Sequence, residues 1–191
     1  MIEIKEAKIA QAKDIARLIM LAMNHECCLY FCGEGRGLDD FLQMMTHLVE
    51  QEDSQYSYRN TLVAMDGPTV AGALVMYDGG ELYQRRKRFV EAAKVYLGTD
   101  FSGMADETEA GELYIDSLAV LPAYRRQGIA TLLLNATPKR AVRMGIGRVG
   151  LLVDGGNPSA ERLYRAVGFR HVGDNVWGGH FMRHLVKEVK K

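Results

Sequence analysis

The residues best suited to chemistry in this sequence lie in the stretch Pro122-Ala-Tyr-Arg-Arg-Gln-Gly-Ile-Ala-Thr-Leu-Leu-Leu134. A strand pattern ends just before it, Arg125, Arg126 and Gln127 occupy a short turn, and a helical pattern begins near Gly128. Free backbone N–H groups at a helix start carry partial positive charge and can bind phosphate oxygens directly. Gly128 has no side chain to block that approach, and the guanidinium groups can add charge-assisted hydrogen bonds. A plain helix start with solvated arginines fits the same residues, so both interpretations stay open at this point.

A second glycine pattern, Gly145-Ile-Gly-Arg-Val-Gly150, matches the G-x-G-x-x-G fingerprint of dinucleotide-binding sites. That fingerprint works when a strand delivers the glycines to the start of a helix, where free N–H groups face the pyrophosphate. Here a helical pattern precedes the glycines and a strand pattern follows them. Because this order is the reverse of the required one, we do not expect a nicotinamide or flavin site here.

The elements that must position these residues can be predicted from hydrophobic periodicity. A crossover is formed by the strand over 113–120, the helix over 128–143 and the strand over 149–153. By the usual rule this crossover is right-handed, which makes its two strands parallel. Pro138 removes a hydrogen bond to the Leu134 carbonyl, so the helix should kink there or restart with Thr137 as its cap. The other expected strands cover 2–7, 61–65, 70–77, 169–177 and 180–186, and the other expected helices lie around 15–22, 41–49, 81–97 and 159–167.

Composition limits the possible partners. The 191 residues carry 24 Lys and Arg against 24 Asp and Glu, so no overall field attracts the chain to nucleic acid or to an anionic membrane. The amino terminus has charges at alternate positions rather than an apolar signal-peptide core, and no run approaches membrane-spanning length. We therefore expect a single cytoplasmic domain over residues 1–191, with no nucleic-acid or membrane partner.

Two further clusters could carry function. His25, Cys28 and Cys32 fall on one helical face, but no fourth ligand or second ligand cluster is evident, so we expect ordinary semi-buried cysteines and no metal site. The basic run Arg85 to Arg88 is typical of a solvated helix face, with a cap over an anionic ligand as the alternative. A nucleic-acid module would need interleaved aromatic residues and an overall positive charge, which this sequence lacks.

The residues downstream of the opening stretch add a resemblance to a known family. Arg125-x-x-Gly128-x-Ala130 after Leu118-Ala-Val120 is similar to the acyl-coenzyme A motif of the GNAT-type N-acetyltransferase superfamily. Its second cofactor motif resembles Asn157-Pro-Ser-Ala160 with Leu163-Tyr164 and Gly168-Phe169. The resemblance implies an α/β (α+β) fold, a strongly twisted mixed sheet of about six to seven strands flanked by helices, whose two central parallel strands splay apart. The segment from 81 to 109 looks like a helical insertion into that layout.

The resemblance also implies roles for individual residues. Acetyl-coenzyme A would be the cosubstrate, with no metal, and the Leu118 N–H could polarise the thioester carbonyl. Tyr164 would protonate the departing thiolate, because a phenol stays protonated at neutral pH. Asn157 could cap the helix that follows, hydrogen-bond the cofactor arm, or do both. The implied cofactor-binding residues are Leu118, Ala119, Val120, Arg125, Arg126, Gln127, Gly128, Ile129, Ala130, Thr131, Asn157, Ala160 and Tyr164.

A base is also needed, because an alkyl ammonium acceptor must lose a proton before it attacks. Asp116 is the first candidate, since simple strand alternation would put it on the same face as Leu118, and Glu112 is the second. Family members that acetylate protein amino termini can carry a glutamate on the strand after the cofactor helix, but Leu152 occupies that position here. The acidic residues Asp106, Glu107 and Glu109 could form a collar for a cationic acceptor, although a solvated loop is the more ordinary reading.

These observations predict an enzyme that moves an acetyl group from acetyl-coenzyme A to a primary amine, by direct attack in a ternary complex. The alternative is a non-catalytic acyl-coenzyme A sensor, which would keep 125–130 but would not need the proton-handling pair Tyr164 and Asp116. The acceptor could be a small molecule or a peptide amine, and a homodimer is a fair expectation from the resemblance.

Overall fold

The computed structural model describes residues 1–189, and within them seven strands form one sheet in the order β1-β2-β3-β4-β5-β7-β6. Adjacent strands are antiparallel except for β4 and β5, which are parallel. The predicted mixed sheet is therefore confirmed. The strands are β1 (Ile2–Glu6), β2 (Thr61–Asp66), β3 (Thr69–Asp78), β4 (Leu113–Val120), β5 (Arg148–Asp154), β6 (Arg170–Trp177) and β7 (His180–Glu188).

Helices cover both faces of the sheet, and each face has its own apolar core. The helices are α1 (Ala12–Met23), α2 (His25–Cys32), α3 (Leu38–Glu50), α4 (Leu82–Tyr96), α5 (Ile129–Arg143) and α6 (Pro158–Ala166). Side chains of α1 to α4 pack with Ala73, Val75 and Ala119 on one face. Side chains of α5 pack on the other face with β2 to β5 and β7, and α6 adds Leu163 and Tyr164 to that core.

A separate helix α2 follows α1, which the periodicity alone did not predict. Asn24 lies between them with a positive φ of 67°, and its side chain caps α2 by accepting a hydrogen bond from the Cys27 N–H at 2.9 Å. The two helical segments meet at 105°. This bend turns α2 toward the end of β6, where it forms one wall of the site described below. Over residues 1–189, no single helix is long and apolar enough to cross a membrane, although the bent pair passes by length and composition.

The parallel strands β4 and β5 pair over only three positions, Leu113 with Val149, Tyr114 with Gly150, and Ile115 with Leu151. Beyond Ile115 the two strands separate, as the family resemblance implied. Just after that point β4 has a bulge, because Met76 pairs with Ile115 and Val75 pairs with Ser117, which leaves Asp116 as the extra residue. The bulge at Asp116 therefore lies at the point where the two strands begin to separate.

Helix α5 runs through Pro138 as one element, so of the two predicted outcomes, a kink or a restart with Thr137 as cap, the restart is wrong. Proline lacks the N–H that would reach the Leu134 carbonyl. The Thr137 hydroxyl donates to that carbonyl instead, at 2.8 Å, while Thr137 itself is fully buried. A neighbouring side chain thus supplies the missing donor, and the helix needs no new cap.

Candidate active site

A cavity of about 290 Å³ lies where β4 and β5 separate. Its lining residues come from the strands around the gap and from the segments packed against them. Strands β4, β5 and β7 contribute Tyr114, Asp116, Ser117, Leu118, Leu152, Val153, Asp154, His180 and Met182. The remaining lining residues are Ala22, Met23, Asn24, Cys27, Tyr56, Glu107, Asn157, Ala160, Tyr164 and Trp177. The structure thus brings Tyr164 and Asp116, two residues predicted to handle protons, to one cavity.

The start of α5 has the backbone geometry of an anion-binding loop. Arg126 and Gly128 both have positive φ, 64° and 77°, on either side of Gln127. Such a conformation is uncommon for a non-glycine residue, and it turns successive N–H groups toward one side. Among the hydrogen bonds of residues 1–189, none is donated by the backbone N–H groups of 126–131, and the first helical bond runs from the Leu132 N–H to the Gly128 carbonyl at 3.0 Å. A Cβ added at Gly128 would meet nothing within 4 Å, so there is open space beside Gly128.

Two side chains hold this loop in place. The Arg125 Nε donates to the Val120 carbonyl at 3.2 Å, and the Gln127 amide nitrogen donates to the Ala123 carbonyl at 3.2 Å. Arg125 is thus used partly to tie the loop to the end of β4. Exposed Arg126, one residue further on, makes no such bond within the described chain and is free to approach a ligand.

Asn157 caps α6, as one of its two predicted roles required. Its side-chain oxygen accepts from the Ala160 N–H at 3.1 Å, and Pro158 occupies the first helical position. Because Asn157 and Ala160 also line the cavity, the cap places a polar group at the cavity wall. Its role toward the cofactor arm stays a prediction.

Tyr164 reaches the cavity from α6 while its ring packs edge-on against Phe169 at 6.0 Å between centroids. Burial raises the pKa of its phenol to about 12, from an ordinary value of 10.0. The hydroxyl is therefore protonated throughout the neutral range. A proton donor must carry its proton before the reaction, and Tyr164 meets this requirement.

The bulge at Asp116 shifts the alternation of β4, so Leu118, and not Asp116, lies on the other face from the one that simple alternation predicted. Leu113 and Ile115 before the bulge and Leu118 after it all pack in the core under α5. Asp116 instead accepts hydrogen bonds from the Ser117 hydroxyl at 2.7 Å and from the Gln55 amide at 3.4 Å. The expectation that Asp116 shares a face with Leu118 is wrong, yet both residues line the cavity.

Burial and a neighbouring carboxylate raise the pKa of Asp116 from 3.8 to about 7. Burial is the larger cause, and the charge of Glu107 is the second. Hydrogen bonds from Ser117 and Gln55 and the charge of Arg86 oppose both causes. A carboxylate with this pKa is divided between its two protonation states near neutral pH, which suits a general base.

Glu107 belongs to a buried network that sequence reasoning missed. It is 5% exposed and accepts hydrogen bonds from the Tyr77 hydroxyl at 3.0 Å, from Gln55 at 3.4 Å and from Arg86. Arg86, also 5% exposed, donates to the Met104 and Ala105 carbonyls as well, so it is neither a solvated residue nor a cap over an external anion. No local signal in the sequence marks this pair, because its two members lie 21 residues apart.

The acidic collar, the less favoured of the two expectations for Asp106, Glu107 and Glu109, does not form. Of its three members only Glu107 lines the cavity. Asp106 pairs with Tyr83 and Arg86, and Glu109 pairs with Arg148 at 3.3 Å. The segment 100–109 thus folds back on α4 and β5, and it contributes one carboxylate to the site rather than three.

Glu112, the second candidate base, does not line the cavity. It is fully buried, with its carboxylate 2.8 Å from His184 Nε2 and accepting from the Thr108 hydroxyl at 2.7 Å. A Cβ added at Gly150 would lie 2.1 Å from its Oε2, so Gly150 provides the space for this carboxylate. Gly150, the last glycine of the G-x-G-x-x-G match, thus has a packing function. Gly145, the first, follows the end of α5 with a positive φ of 72°.

Leu152 lines the cavity and packs against the cluster that contains Tyr77 and Tyr114. The position therefore offers only an apolar contact, and the nearest acid on the neighbouring strand is Asp116. Other lining residues that sequence reasoning missed include Tyr56, Trp177 and His180. Trp177 and His180 flank the turn Gly178-Gly179, so a signal existed there, namely a lone tryptophan at a tight turn.

The cysteines are not arranged as a metal site. Cys28 and Cys32 are each 1% exposed, and burial raises the pKa of the Cys28 thiol to about 12. The Cys28 thiol lies 3.5 Å from the Met20 carbonyl. Across residues 1–189 no group of three or more His, Cys, Asp or Glu side chains is placed to hold a metal ion.

Known proteins resemble this chain in sequence over part of its length. It is 38% identical over 71 residues to acetyltransferase Atu2258 of Agrobacterium fabrum, covering 37% of this chain and 50% of that protein. It is 40% identical over 55 residues to L-ornithine N5-acetyltransferase NATA1 of Arabidopsis thaliana, covering 29% of this chain and 24% of that protein. The chain therefore matches no more than half the length of these relatives.

Solved structures resemble the chain over nearly its whole length. A crystal structure described as an acetyltransferase superimposes with a TM-score of 0.81 and 27% identity, covering 98% of this chain and all of the other. The PaiA N-acetyltransferase of Thermoplasma acidophilum, solved in complex with coenzyme A, shares the fold at a TM-score of 0.59 and 16% identity, covering 98% and 99% of the two chains. The acetyltransferase (GNAT) family model matches residues 24–169, which include the splayed strands, the start of α5 and Tyr164, and the chain belongs to that family.

Proposed function

We propose that this acyltransferase moves an acetyl group from acetyl-coenzyme A to a primary amine, by direct attack within a ternary complex. The observation that carries the proposal is that Tyr164, with a raised pKa, and Asp116, with a pKa of about 7, line one cavity at the point where β4 and β5 separate. A donor that stays protonated and a base poised near neutrality are the two groups that amine acetylation needs. The family match supports the acyl donor, since the matched region contains the loop at the start of α5.

The coenzyme would be held by the chain's main-chain groups more than by its side chains. The N–H groups of 126–131 have no acceptor among residues 1–189 and lie at the positive end of a fifteen-residue helix, which suits a diphosphate. Exposed Arg126 would add a charge-assisted hydrogen bond. The pantetheine arm would then run into the gap between β4 and β5, past Leu118, Asn157 and Ala160.

In the reaction, the lone pair of the acceptor nitrogen attacks the thioester carbonyl carbon, a C–N bond forms, and the C–S bond breaks. Asp116 takes the proton that the amine must lose, and its pKa near 7 lets it release that proton to solvent afterwards. Tyr164 gives its proton to the departing thiolate, whose conjugate acid has a pKa of about 8.5, and the resulting phenolate regains a proton from solvent because its own pKa is raised. The products are an N-acetyl amine and free coenzyme A, and no covalent enzyme intermediate is needed.

The test separates this enzyme from a non-catalytic sensor of acyl-coenzyme A. Calorimetry measures acetyl-coenzyme A binding, and release of free thiol is then followed over a panel of primary amines. We expect binding together with amine-dependent thiol release. Binding without release on any amine would favour the sensor, and absence of binding would overturn both functions.

A matched pair of variants makes the test specific for the loop. Arg126→Ala should weaken acetyl-coenzyme A binding, because it removes an exposed cation beside the free N–H groups. Lys139→Ala removes an exposed cation from the same helix, more than two turns away, and should leave binding unchanged. Equal affinity of the two variants would contradict the assignment of the diphosphate to this loop.

A further inference from the structure

A second cavity, of about 410 Å³, lies beside the first and shares four lining residues with it. The shared residues are Asn24, Cys27, Trp177 and His180. The second cavity continues outward between α2, the segment 101–105 and the turn that joins β6 to β7. Because the coenzyme would enter from the side of α5 and α6, this second cavity offers the acceptor an approach from a different side.

Three aromatic side chains from separate segments form one wall of the second cavity. Phe31 of α2 lies 5.0 Å from Phe101 in an edge-on arrangement, and 6.5 Å from Trp177 at the end of β6. Phe31 is nearly buried, whereas Phe101 and Trp177 are half-buried. Tyr30 extends the same wall toward solvent. Edge-on and offset contacts of this kind are the geometry in which aromatic rings bind another ring.

The charges in the two cavities are uneven. Among the described residues that line either cavity, none is Lys or Arg. The inner cavity has the carboxylates of Asp116, Glu107 and Asp154, and the outer cavity has Glu26. Glu107 is already paired with Arg86, so a ligand meets mainly apolar rings at its outer end and the carboxyl groups of Asp116 and Asp154 at its inner end.

We propose that the acceptor is an arylalkylamine, a primary amine joined by a short alkyl chain to an aromatic ring. The ring lies in the outer cavity against Phe31, Phe101 and Trp177, and the amine passes the shared rim to reach Asp116. This inference rests on the proposed function and deepens it, because it names the chemical class of the acceptor.

The same lining disfavours two other classes of amine. An amino acid would place its carboxylate among acids and rings, where the described lining offers no Lys or Arg to pair with it. A polyamine would place a second, hydrated ammonium group among the apolar rings of the outer cavity, where Glu26 could pair with the ammonium but the rings could not. Its methylene chain would also leave the aromatic wall without a matching ring.

The test uses ligands that differ by one group. 2-Phenylethylamine and L-phenylalanine have the same ring and amine, and only the second has a carboxylate. We expect kcat/KM for 2-phenylethylamine to exceed that for L-phenylalanine by at least about 100-fold, the factor that an unpaired buried charge produces. Spermidine and ethylamine complete the panel, and both should be poorer acceptors than 2-phenylethylamine.

A binding readout that does not depend on turnover is available, because Trp177 is the single tryptophan of the chain. Adding 2-phenylethylamine to the complex with coenzyme A should change the intrinsic fluorescence of Trp177, and L-phenylalanine at the same concentration should not. Phe101→Ala should raise KM for 2-phenylethylamine by about 10-fold and leave KM for ethylamine unchanged. Val95→Ala, on the exposed face of α4, is the control and should change neither value.

The outcomes are distinguishable. If spermidine or L-phenylalanine is acetylated as well as or better than 2-phenylethylamine, the arylalkylamine inference is overturned and the acetyltransferase function stands. If acetyl-coenzyme A binds but no amine releases thiol, the proposed function falls, and this inference falls with it.

Discussion

Replacing Asp116 with Asn should abolish most of the activity and at the same time stabilise the protein. The substitution keeps the shape of the side chain but removes the group that accepts the amine proton. A positioned general base contributes a factor of roughly 10² to 10⁴, so kcat/KM should fall by that range. In the wild-type enzyme the pH profile of kcat/KM should have an acid limb with a midpoint near pH 7, and this limb should disappear in the variant.

The stability change follows from the same pKa. Asp116 titrates near 3.8 when exposed and near 7 in the fold, so the fold binds its proton more tightly than the unfolded chain does. The stability that the protonated carboxyl group contributes is therefore lost as the pH rises from about 4 to about 7. Above pH 7 the buried, ionised carboxylate lowers the free energy of unfolding by the full amount, about 4 kcal/mol. Removing this cost should stabilise the variant. The Asn amide, however, has one acceptor oxygen for the two donors, Ser117 and Gln55, so the variant loses a hydrogen bond and its expected gain in unfolding free energy is smaller by about 1 kcal/mol.

The net expectation is that Asp116→Asn raises the free energy of unfolding by about 3 kcal/mol at pH 8, or the Tm by roughly 6 to 12 °C. Below pH 4 the gain should vanish. Thermal melts at pH 8 and at pH 4 measure this difference, and Asp39→Asn, an exposed carboxylate in the first turn of α3, serves as the control with no such gain. Equal stability of wild type and variant at pH 8 would refute the raised pKa, and unreduced turnover would refute the role as base whatever the stability.

Three further substitutions test other parts of the site. Tyr164→Phe should reduce kcat by about 100-fold and leave acetyl-coenzyme A affinity within about twofold, because it removes a proton donor and keeps the ring; unchanged kcat on a true acceptor would remove its assigned role. Gly128→Ala should weaken acetyl-coenzyme A binding by about 10-fold in calorimetry, because a left-handed φ costs an alanine roughly 1–2 kcal/mol. Gly150→Ala should lower the free energy of unfolding in urea by about 1–3 kcal/mol, because its Cβ would collide with the Glu112 carboxylate. Gly147→Ala is the matched control, since a Cβ there meets nothing within 4 Å, and an equal loss in both variants would contradict the packing argument.

Those features of the fold that depend on local patterns could be predicted from the sequence. The strands, the hairpin of β2 and β3, and the start of α5 follow from alternation, turn residues and a glycine at a helix boundary, all of which are read within about ten residues. Asn157 as the cap of α6 is of the same kind. The parallel pairing of β4 and β5 needed only the rule for right-handed crossovers.

Features that depend on distant partners could not be predicted. The bulge at Asp116 is a property of the register between β3 and β4, and it changed the face on which Leu118 lies. The burial of Arg86 depends on Glu107, which the chain brings back only after a turn following α4. The restart of α5 at Thr137 is wrong for a local reason. The hydroxyl of Thr137 could serve either as a helix cap or as a substitute donor to the Leu134 carbonyl, and the sequence does not distinguish the two.

The three-pair contact between β4 and β5 has a mechanical consequence. The sheet contains a seam, because past Ile115 and Leu151 the facing edges of the two strands have no partner in each other. A ligand with peptide-like amides bound in this seam would complete the ladder in the manner of an eighth strand. If the proposed coenzyme binds there, its binding would close the sheet, and the saturated protein should resist heat and amide exchange along this seam more than the free one.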